Sequence, residues 1–327
     1  MQNLIRSSIL IAVIMSAACG GSGSSSGTVS DVTASDDAAD ETSQESSDTG
    51  TAGSTDGALC DYSDTTFNSQ ESLTYTSMSQ WTCTDTTREL SANGIPDHEV
   101  GTFPNASNPN TISEQTVSAS YTLEPTLGTT ATELGGPRGS TGYVLNGVKI
   151  DASTAGTCDD SGNSCSMIGN VGSWNIEALG HNSFNFGTDD NNAHVQPGGS
   201  YHYHGMPEGF VTKRGGNSST MTLIGWAADG FPIYARYGYS VADDASSTLK
   251  FVTGSYQYVS VVSSSRPSTD TYPLGTFAQD YEYVKDSGDL DECNGRVGVT
   301  PQFPDGIYHY YATDSYPYLQ RCIKGAL

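Results

Sequence analysis

The sequence predicts a mostly β protein, an antiparallel β-sandwich or barrel-like domain with long loops, stapled by disulfides. Helical periodicity is scarce beyond residue 58, whereas short runs rich in Tyr, Val, Thr and Ile recur between Gly and Pro residues, as in 142–147 and 256–262. Asn146-Gly147 is a tight-turn pair between two such runs and predicts a hairpin. The cysteines of this region are even in number, which favours disulfide pairing.

Residues 1–18 have the features of a secretory signal peptide. Arg6 supplies a positive charge and residues 9–15 form an apolar core that is too short to span a bilayer. The following Ser16-Ala17-Ala18-Cys19 resembles the lipobox of bacterial lipoproteins, in which the cysteine is lipidated. We therefore expect anchoring through Cys19 in the cell envelope, and Gly20 favours the outer membrane, on its periplasmic or exposed face. The alternative is an ordinary cleaved signal peptide, since Ser16 stands where leucine is commonest.

The remaining chain divides into a tether and a folded region. Residues 19–58 are rich in Gly, Ser and Asp and contain too little apolar surface to order themselves, so we expect a flexible tether. Residues 59–327 form the predicted folded region. Of the 37 acidic and 13 basic residues, eight and one lie in 1–58, which leaves the folded region with a net charge of -17. Such a surface opposes nucleic acid and anionic lipid.

Six cysteines remain after Cys19, and none forms a Cys-x-x-Cys pair. Six cysteines allow fifteen disulfide pairings. Nearest-neighbour pairing is the one we favour because each bond then closes a local loop. The predicted bonds are Cys60 with Cys83, Cys158 with Cys165, and Cys293 with Cys322.

The most informative feature is a near repeat of Pro-x-Gly-x-Tyr-His-Tyr. One copy ends in Tyr201-His202-Tyr203-His204 and the other in Tyr308-His309-Tyr310-Tyr311. Each copy follows a predicted turn, which favours a strand. Alternate side chains of a strand share a face, so both histidines of the first copy point one way and its tyrosines the other.

Two histidines at positions i and i+2 of a strand can present two rigid nitrogen ligands to a metal. His202 and His204 are the predicted pair, with His309 as the third ligand if the two copies meet and His194 as the fourth. Nitrogen ligation without cysteine suits copper or zinc. The alternative is an aromatic face whose imidazoles are satisfied by hydrogen bonds. His98 and His181 have no such context, and we expect them at the surface or in packing.

Three motifs in order resemble the YHYH-domain family. They are Tyr201-His202-Tyr203-His204, the run from Gly225 to Tyr234, and a closing pattern from Leu290 to Gly325. The resemblance covers about residues 145–325. Members of that family are bacterial secreted or lipid-anchored proteins, with some in eukaryotes, and the resemblance names the domain more firmly than an activity.

These observations predict an envelope metal-binding module, with catalytic residues left unassigned. If the protein is an enzyme, a metal-dependent oxidoreductase or hydrolase is expected. Asp229, Tyr201 and Tyr203 are candidates for orienting the ligands, although Asp229 before Gly230 is favoured as a turn residue. The alternative function is a non-catalytic recognition or adhesion module whose tyrosines, 19 in the chain, bind a polysaccharide or protein.

Overall fold

The computed structural model describes residues 57–70 and 73–327. The predicted signal peptide, Cys19 and nearly all of the predicted tether lie outside the described residues.

The described residues form a mostly β structure with one short α-helix, α1 (Glu208–Lys213), and two 3-10 helices, Gly136–Arg138 and Ala278–Asp280. The strands in chain order are β1 (Ser63–Gln70), β2 (Leu73–Cys83), β3 (Thr87–Ala92), β4 (Val117–Thr122), β5 (Leu127–Glu133), β6 (Gly142–Val144), β7 (Lys149–Ile150), β8 (Thr157–Cys158), β9 (Cys165–Ser166), β10 (Trp174–Asn175), β11 (Ala193–Val195), β12 (Tyr201–Tyr203), β13 (Leu223–Ala227), β14 (Pro232–Tyr234), β15 (Tyr237–Tyr239), β16 (Leu249–Phe251), β17 (Tyr256–Tyr258), β18 (Tyr281–Tyr283), β19 (Gly295–Gly298), β20 (Ile307–Tyr311) and β21 (Cys322–Gly325).

Two sheets dominate this arrangement. Strands β1 to β4 form an antiparallel sheet in chain order, and the main sheet has eight strands in the order β11-β12-β7-β6-β13-β14-β20-β19. The main sheet curls into a half-barrel. It is mixed, because β12 pairs with β7 and β14 with β20 in parallel. Smaller units are the sheet β10-β8-β9 and the pairs β15-β16, β17-β18 and β21-β5. The predicted mostly β class with disulfide staples is confirmed.

The two large sheets share one hydrophobic core. Every residue of β13 is buried, which fits an apolar strand at the centre of a covered sheet. Trp81 of β2 is fully buried and its Nε1 donates a hydrogen bond to the Leu145 carbonyl at 2.9 Å. The Arg88 guanidinium of β3 lies 3.3 Å from the centre of the Trp226 ring. These contacts fix the first sheet against the middle of the second.

The predicted hairpin at Asn146-Gly147 is confirmed. Strands β6 and β7 pair antiparallel on either side of it, and the Gly147 N–H donates to the Val144 carbonyl at 2.8 Å. Gly147 has a φ of +78°, which favours glycine, and a Cβ here would overlap Ala92 of the neighbouring sheet.

The main sheet has the same pairing pattern when it is traced from either edge. Each edge strand, β11 or β19, is antiparallel to its neighbour, β12 or β20. Strand β12 runs parallel to β7, the second strand of the β6–β7 hairpin, and β20 runs parallel to β14, the second strand of the β13–β14 hairpin. The two hairpins meet at the centre of the sheet, where β6 pairs with β13. The two copies of the sequence repeat therefore occupy equivalent positions, one strand in from each edge.

The second tyrosine of each copy, Tyr203 or Tyr310, hydrogen-bonds to the hairpin turn of its own half. Tyr203 accepts one from Asn146 Nδ2 at 3.0 Å, in the turn between β6 and β7. Tyr310 donates one to Asp229 Oδ2 at 2.6 Å, in the turn between β13 and β14. Each turn is thus tied to the repeat strand of its own half by one tyrosine hydrogen bond, although the direction of the bond differs.

The first tyrosines of the two copies are also equivalent. The Tyr201 hydroxyl donates to Asp189 Oδ2 at 2.7 Å, and the Tyr308 hydroxyl donates to Asp291 Oδ2 at 2.9 Å. Each aspartate precedes the edge strand of its own half. The two halves of the main sheet therefore form an internal structural repeat.

The three disulfides join nearest neighbours in sequence, as favoured. Their pairs are Cys60 with Cys83, Cys158 with Cys165, and Cys293 with Cys322. The second of these bonds belongs to a small separate core that also contains Trp174 and Phe277. The staples therefore hold the first sheet, the small core and the C-terminal strand.

Candidate metal centre

A hairpin brings the first two histidines of the candidate site together. Strands β11 and β12 pair antiparallel with His194 directly opposite His202. The turn between them contains Gly199 with a φ of +89°, where a Cβ would overlap the Ser113 side chain. Glycine at this position therefore provides the left-handed backbone of the turn and lets the turn pack against Ser113.

The three imidazoles of His194, His202 and His204 converge through their Nε2 atoms, and we call them the histidine triad. The Nε2 atom of His204 lies 3.0 Å from that of His202 and 3.1 Å from that of His194. One ligand atom from each residue lies within 4.8 Å of the others. Nitrogens bound to one tetrahedral zinc at 2.0 to 2.1 Å are about 3.3 Å apart. The spacing fits a shared metal ion.

Backbone carbonyls orient two of the imidazoles. His194 Nδ1 contacts the Phe186 carbonyl at 2.9 Å, and His202 Nδ1 contacts the Ser200 carbonyl at 3.3 Å. A carbonyl only accepts, so each Nδ1 carries the proton and each Nε2 offers its lone pair to the centre. His204 Nδ1 is buried without a hydrogen-bond partner among the described residues.

Burial keeps the triad neutral. It lowers the pKa of His202 and of His204 well below the ordinary value, and the neighbouring imidazoles and Lys149 lower both further. Burial also lowers the pKa of His194, which is partly exposed. Neutral imidazole is the form that binds metals. His194 and His202 direct their Nε2 lone pairs to the centre, and no partner at Nδ1 among the described residues prevents His204 from doing the same, so this donor set fits a divalent ion.

The triad faces a cavity of about 250 Å³. Its walls combine side-chain amides of Asn108 and Gln196 with apolar groups of Met167 and Ile168. Ile168 is 84% exposed, so one wall borders solvent. Three protein ligands with an open side are typical of metal sites that bind a further small molecule, in contrast to closed structural sites.

Two charged side chains that the sequence did not single out lie beside the triad. Lys149 of β7 is the register partner of His202, so both side chains lie on one face of the sheet, and Asp151 follows two residues later. Their ion pair joins Lys149 Nζ to Asp151 Oδ2 at 2.9 Å, and Asp151 lines the cavity. The sequence signal for them was their spacing after the Asn146-Gly147 turn, because Lys149 and Asp151 are two residues apart and share one face of an extended strand.

The prediction that His309 is the third ligand is corrected. His309 lies on β20, and four strands separate β20 from β12 in the main sheet. Its Nδ1 contacts the Ile307 carbonyl at 2.9 Å and its Nε2 contacts the Tyr311 hydroxyl at 3.0 Å. The two repeat copies occupy equivalent positions in opposite halves of the sheet, so they never meet. His194, predicted as the fourth ligand, completes the triad instead.

The three candidates for orienting the ligands have other roles. Tyr201 and Tyr203 point away from the triad, into the core, as strand alternation predicts. Asp229 is in the turn favoured for it, where it accepts hydrogen bonds from Tyr310 and from the Gly325 N–H at 2.6 and 2.9 Å. Burial raises its pKa. Within the described residues, backbone carbonyls orient the imidazoles instead.

The remaining two histidines are packing residues, as expected. His98 is buried, and its Nε2 lies 2.6 Å from the Tyr203 hydroxyl. His181 Nε2 lies 2.7 Å from the Glu177 carbonyl.

Among the described residues, no helix has the length and apolar character needed to cross a membrane. Searches of curated proteins and of solved structures found no match. The model of one family, described as YHYH protein, matches residues 118–325. This match begins earlier than the motifs did and covers both halves of the main sheet, including the whole histidine triad. The chain therefore belongs to the YHYH protein family.

Proposed function

We propose that this protein is a lipid-anchored module of the cell envelope that binds one copper or zinc ion through His194, His202 and His204. The observation that carries the proposal is the convergence of three neutral Nε2 atoms at 3.0 and 3.1 Å on the wall of a cavity. The Nε2 atoms of His194 and His202 are both acceptors, because each Nδ1 donates to a carbonyl, and a cation between the three imidazoles would satisfy both.

The chemistry of the ligands narrows the choice of metal. Imidazole suits both copper(II) and zinc, and at equal geometry the Irving-Williams order favours copper. When bound, such an ion would polarise a water or another small ligand at its open position, as metal-dependent hydrolases and oxidoreductases require. The chain itself holds the ion rigidly on two paired strands and supplies the Lys149–Asp151 pair beside it.

Metal analysis of the full chain, purified without a His tag, tests the proposal. We expect about one copper or zinc ion per chain after exposure to equimolar copper and zinc, because three imidazoles form one site. In the His202→Ala/His204→Ala variant the bound metal should fall to background. His181→Ala is the matched control, since His181 is a histidine outside the triad, and it should keep the metal.

A folded wild-type chain that binds neither metal would overturn the proposal. Equal metal content in the double variant would do the same, because the ion would then lie elsewhere. Circular dichroism of each variant establishes that the fold persists.

The envelope location rests on the N-terminal pattern, on the disulfides and on the acidic surface. Disulfides persist in oxidising compartments outside the bacterial cytosol. Labelling of Gram-negative cells with a fatty-acid analogue should mark the wild-type chain in the outer-membrane fraction. The Cys19→Ser variant should be unlabelled. Equal labelling of both chains, or a cytosolic location, would contradict the anchor.

A further inference from the structure

Two further cavities lie in series with the metal cavity. The one we call the Arg321 cavity has a volume of about 430 Å³, and the one we call the tyrosine cavity about 390 Å³. The metal and Arg321 cavities share a wall formed by Pro137, Ser153 and Thr154. The Arg321 and tyrosine cavities share Tyr256, Tyr281 and Tyr316. Shared walls place the three cavities side by side, in the order metal, Arg321, tyrosine.

Aromatic rings dominate the far end of this series. Tyr281 and Tyr316 stack face to face with centroids 3.6 Å apart, and Tyr256 meets Tyr316 edge-on at 5.3 Å. Tyr258 lies 5.1 Å from Tyr281 and is 50% exposed. Tyr281 and Tyr316 cover one face of each other, so the half-exposed Tyr258 ring, braced against Tyr281, is the rigid and amphipathic contact surface at this end.

The charged side chains along the three cavities are paired. The pairs are Arg321 with Glu177, Arg138 with Glu133, Asp314 with Arg236, and Asp151 with Lys149. The Arg321–Glu177 pair is bidentate, with N–O distances of 2.7 and 2.9 Å. A ligand in these cavities meets no uncompensated charge from these pairs, which favours a neutral ligand over an acidic or basic polymer.

We propose that the tyrosine and Arg321 cavities bind a neutral oligosaccharide next to the metal cavity. Sugar rings have apolar C–H faces that pack on aromatic rings, and hydroxyl edges that hydrogen-bond to amides and paired charges. The cavities supply both kinds of group, with Asn175 and Gln279 as the amides. The inference goes beyond the proposed function and depends on it only for the metal at one end.

Affinity electrophoresis of the full chain in detergent tests the inference. Each gel contains one neutral polysaccharide of glucose, mannose, xylose or galactose. Soluble oligomers of N-acetylglucosamine serve as competitors. We expect at least one to retard the wild-type chain. Tyr258→Ala should weaken that interaction about ten-fold, as loss of a central aromatic contact does. Tyr75→Ala is the matched control, since Tyr75 is also exposed, on β2, away from the cavities.

The outcomes separate this inference from the metal site. Retardation that Tyr258→Ala weakens and Tyr75→Ala preserves supports it, whatever the metal content of the same samples. Loss of metal in the His202→Ala/His204→Ala variant without loss of sugar binding at the tyrosine end is also consistent with it. The inference would be overturned if no neutral polysaccharide retards the wild-type chain, or if Tyr258→Ala and Tyr75→Ala are retarded equally. It would also be overturned if, in parallel tests, the chain binds only polygalacturonate, which is acidic, or only casein peptides.

Discussion

Each copy of the repeat has a histidine after its first tyrosine, His202 or His309, and the copies differ in the edge-strand residue that lies opposite this histidine. His202 faces His194 across β11, whereas His309 faces Arg296 across β19. The pairing of the strands and the positions of the hairpin turns are equivalent in the two copies. The edge-strand residue is therefore a candidate metal ligand in one copy and a positively charged side chain in the other.

The second copy repeats the geometry of the triad with different chemistry. Tyr311 stands where the first copy has its second histidine. Its hydroxyl lies 3.0 Å from His309 Nε2 and accepts a hydrogen bond from Arg296 Nη2 at 3.1 Å. Burial lowers the pKa of His309 to about 4, so this imidazole is neutral. The guanidinium supplies there the positive charge that a metal ion would supply in the first copy.

Access to solvent differs as well. The triad lines an open cavity, whereas the segment from Tyr237 to Phe251 covers the second copy. Arg296 Nη2 donates to the Tyr239 carbonyl at 2.8 Å, and a Cβ on Gly238 would overlap the Tyr311 hydroxyl. The comparison teaches that the same strand framework serves as a closed, self-neutralised packing unit in one half and as an open ligand set in the other.

Copying the second half into the first should have the largest effect. His194→Arg/His204→Tyr is expected to lower the bound metal from about one ion per chain to about none, because one imidazole cannot hold a metal alone. The fold should persist, since the second half packs the same three groups. Elemental analysis and thermal denaturation measure the two outcomes. Metal retained at one ion per chain would show that the triad is not the site.

The reverse exchange tests whether the framework is sufficient. Arg296→His/Tyr311→His recreates three imidazoles around His309 and should raise the content to about two ions per chain. The second ion should bind more weakly, because the covering segment leaves little room for a further ligand. Titration with zinc and a competing chelator measures both affinities. If the folded variant still binds one ion per chain, the covering segment, and not the set of ligands, accounts for the difference in metal binding between the two halves.

The hairpin turns should differ in stability by a smaller amount. Asp229→Ala should lower the free energy of unfolding by about 1–3 kcal/mol, because the buried Tyr310 hydroxyl loses its acceptor. Asn146→Ala should cost less, about 0.5–1.5 kcal/mol, since Tyr203 keeps its hydrogen bond with His98 and Asp97, the other partner of Asn146 Nδ2, keeps its ion pair with Lys213. Urea denaturation compares the two variants. A larger cost for Asn146→Ala would break the proposed ranking.

The smallest expected effect is the pH dependence of stability that Asp229 contributes. Burial raises the pKa of Asp229 above its ordinary 3.8, so the folded state holds this proton more tightly than the unfolded state. Its contribution to stability is present below pH 3.8 and is lost as the pH rises through the folded pKa. The wild-type chain should therefore lose stability relative to Asp229→Asn between about pH 4 and pH 7. Urea denaturation of both chains at these two pH values measures the change. The same difference in unfolding free energy between the two chains at both pH values would contradict the prediction.

Local patterns in the sequence were sufficient for several features of the fold and of the site. Strand alternation placed His202 and His204 on one face, and the Asn146-Gly147 pair placed a hairpin. Proximity in sequence also favoured the correct disulfides. These features depend on the backbone geometry of a few neighbouring residues, which residue type and spacing control directly.

The sequence by itself determined the β class, the turn chemistry and the pairing of His202 with His204 on one face. Only the tertiary structure decided that His194 completes the triad, that His309 is packed four strands away, and that Lys149 and Asp151 lie beside the ligands. The reason is physical. A motif specifies the direction of its own side chains, whereas the neighbours of a strand depend on the order in which the whole sheet buries its apolar surface.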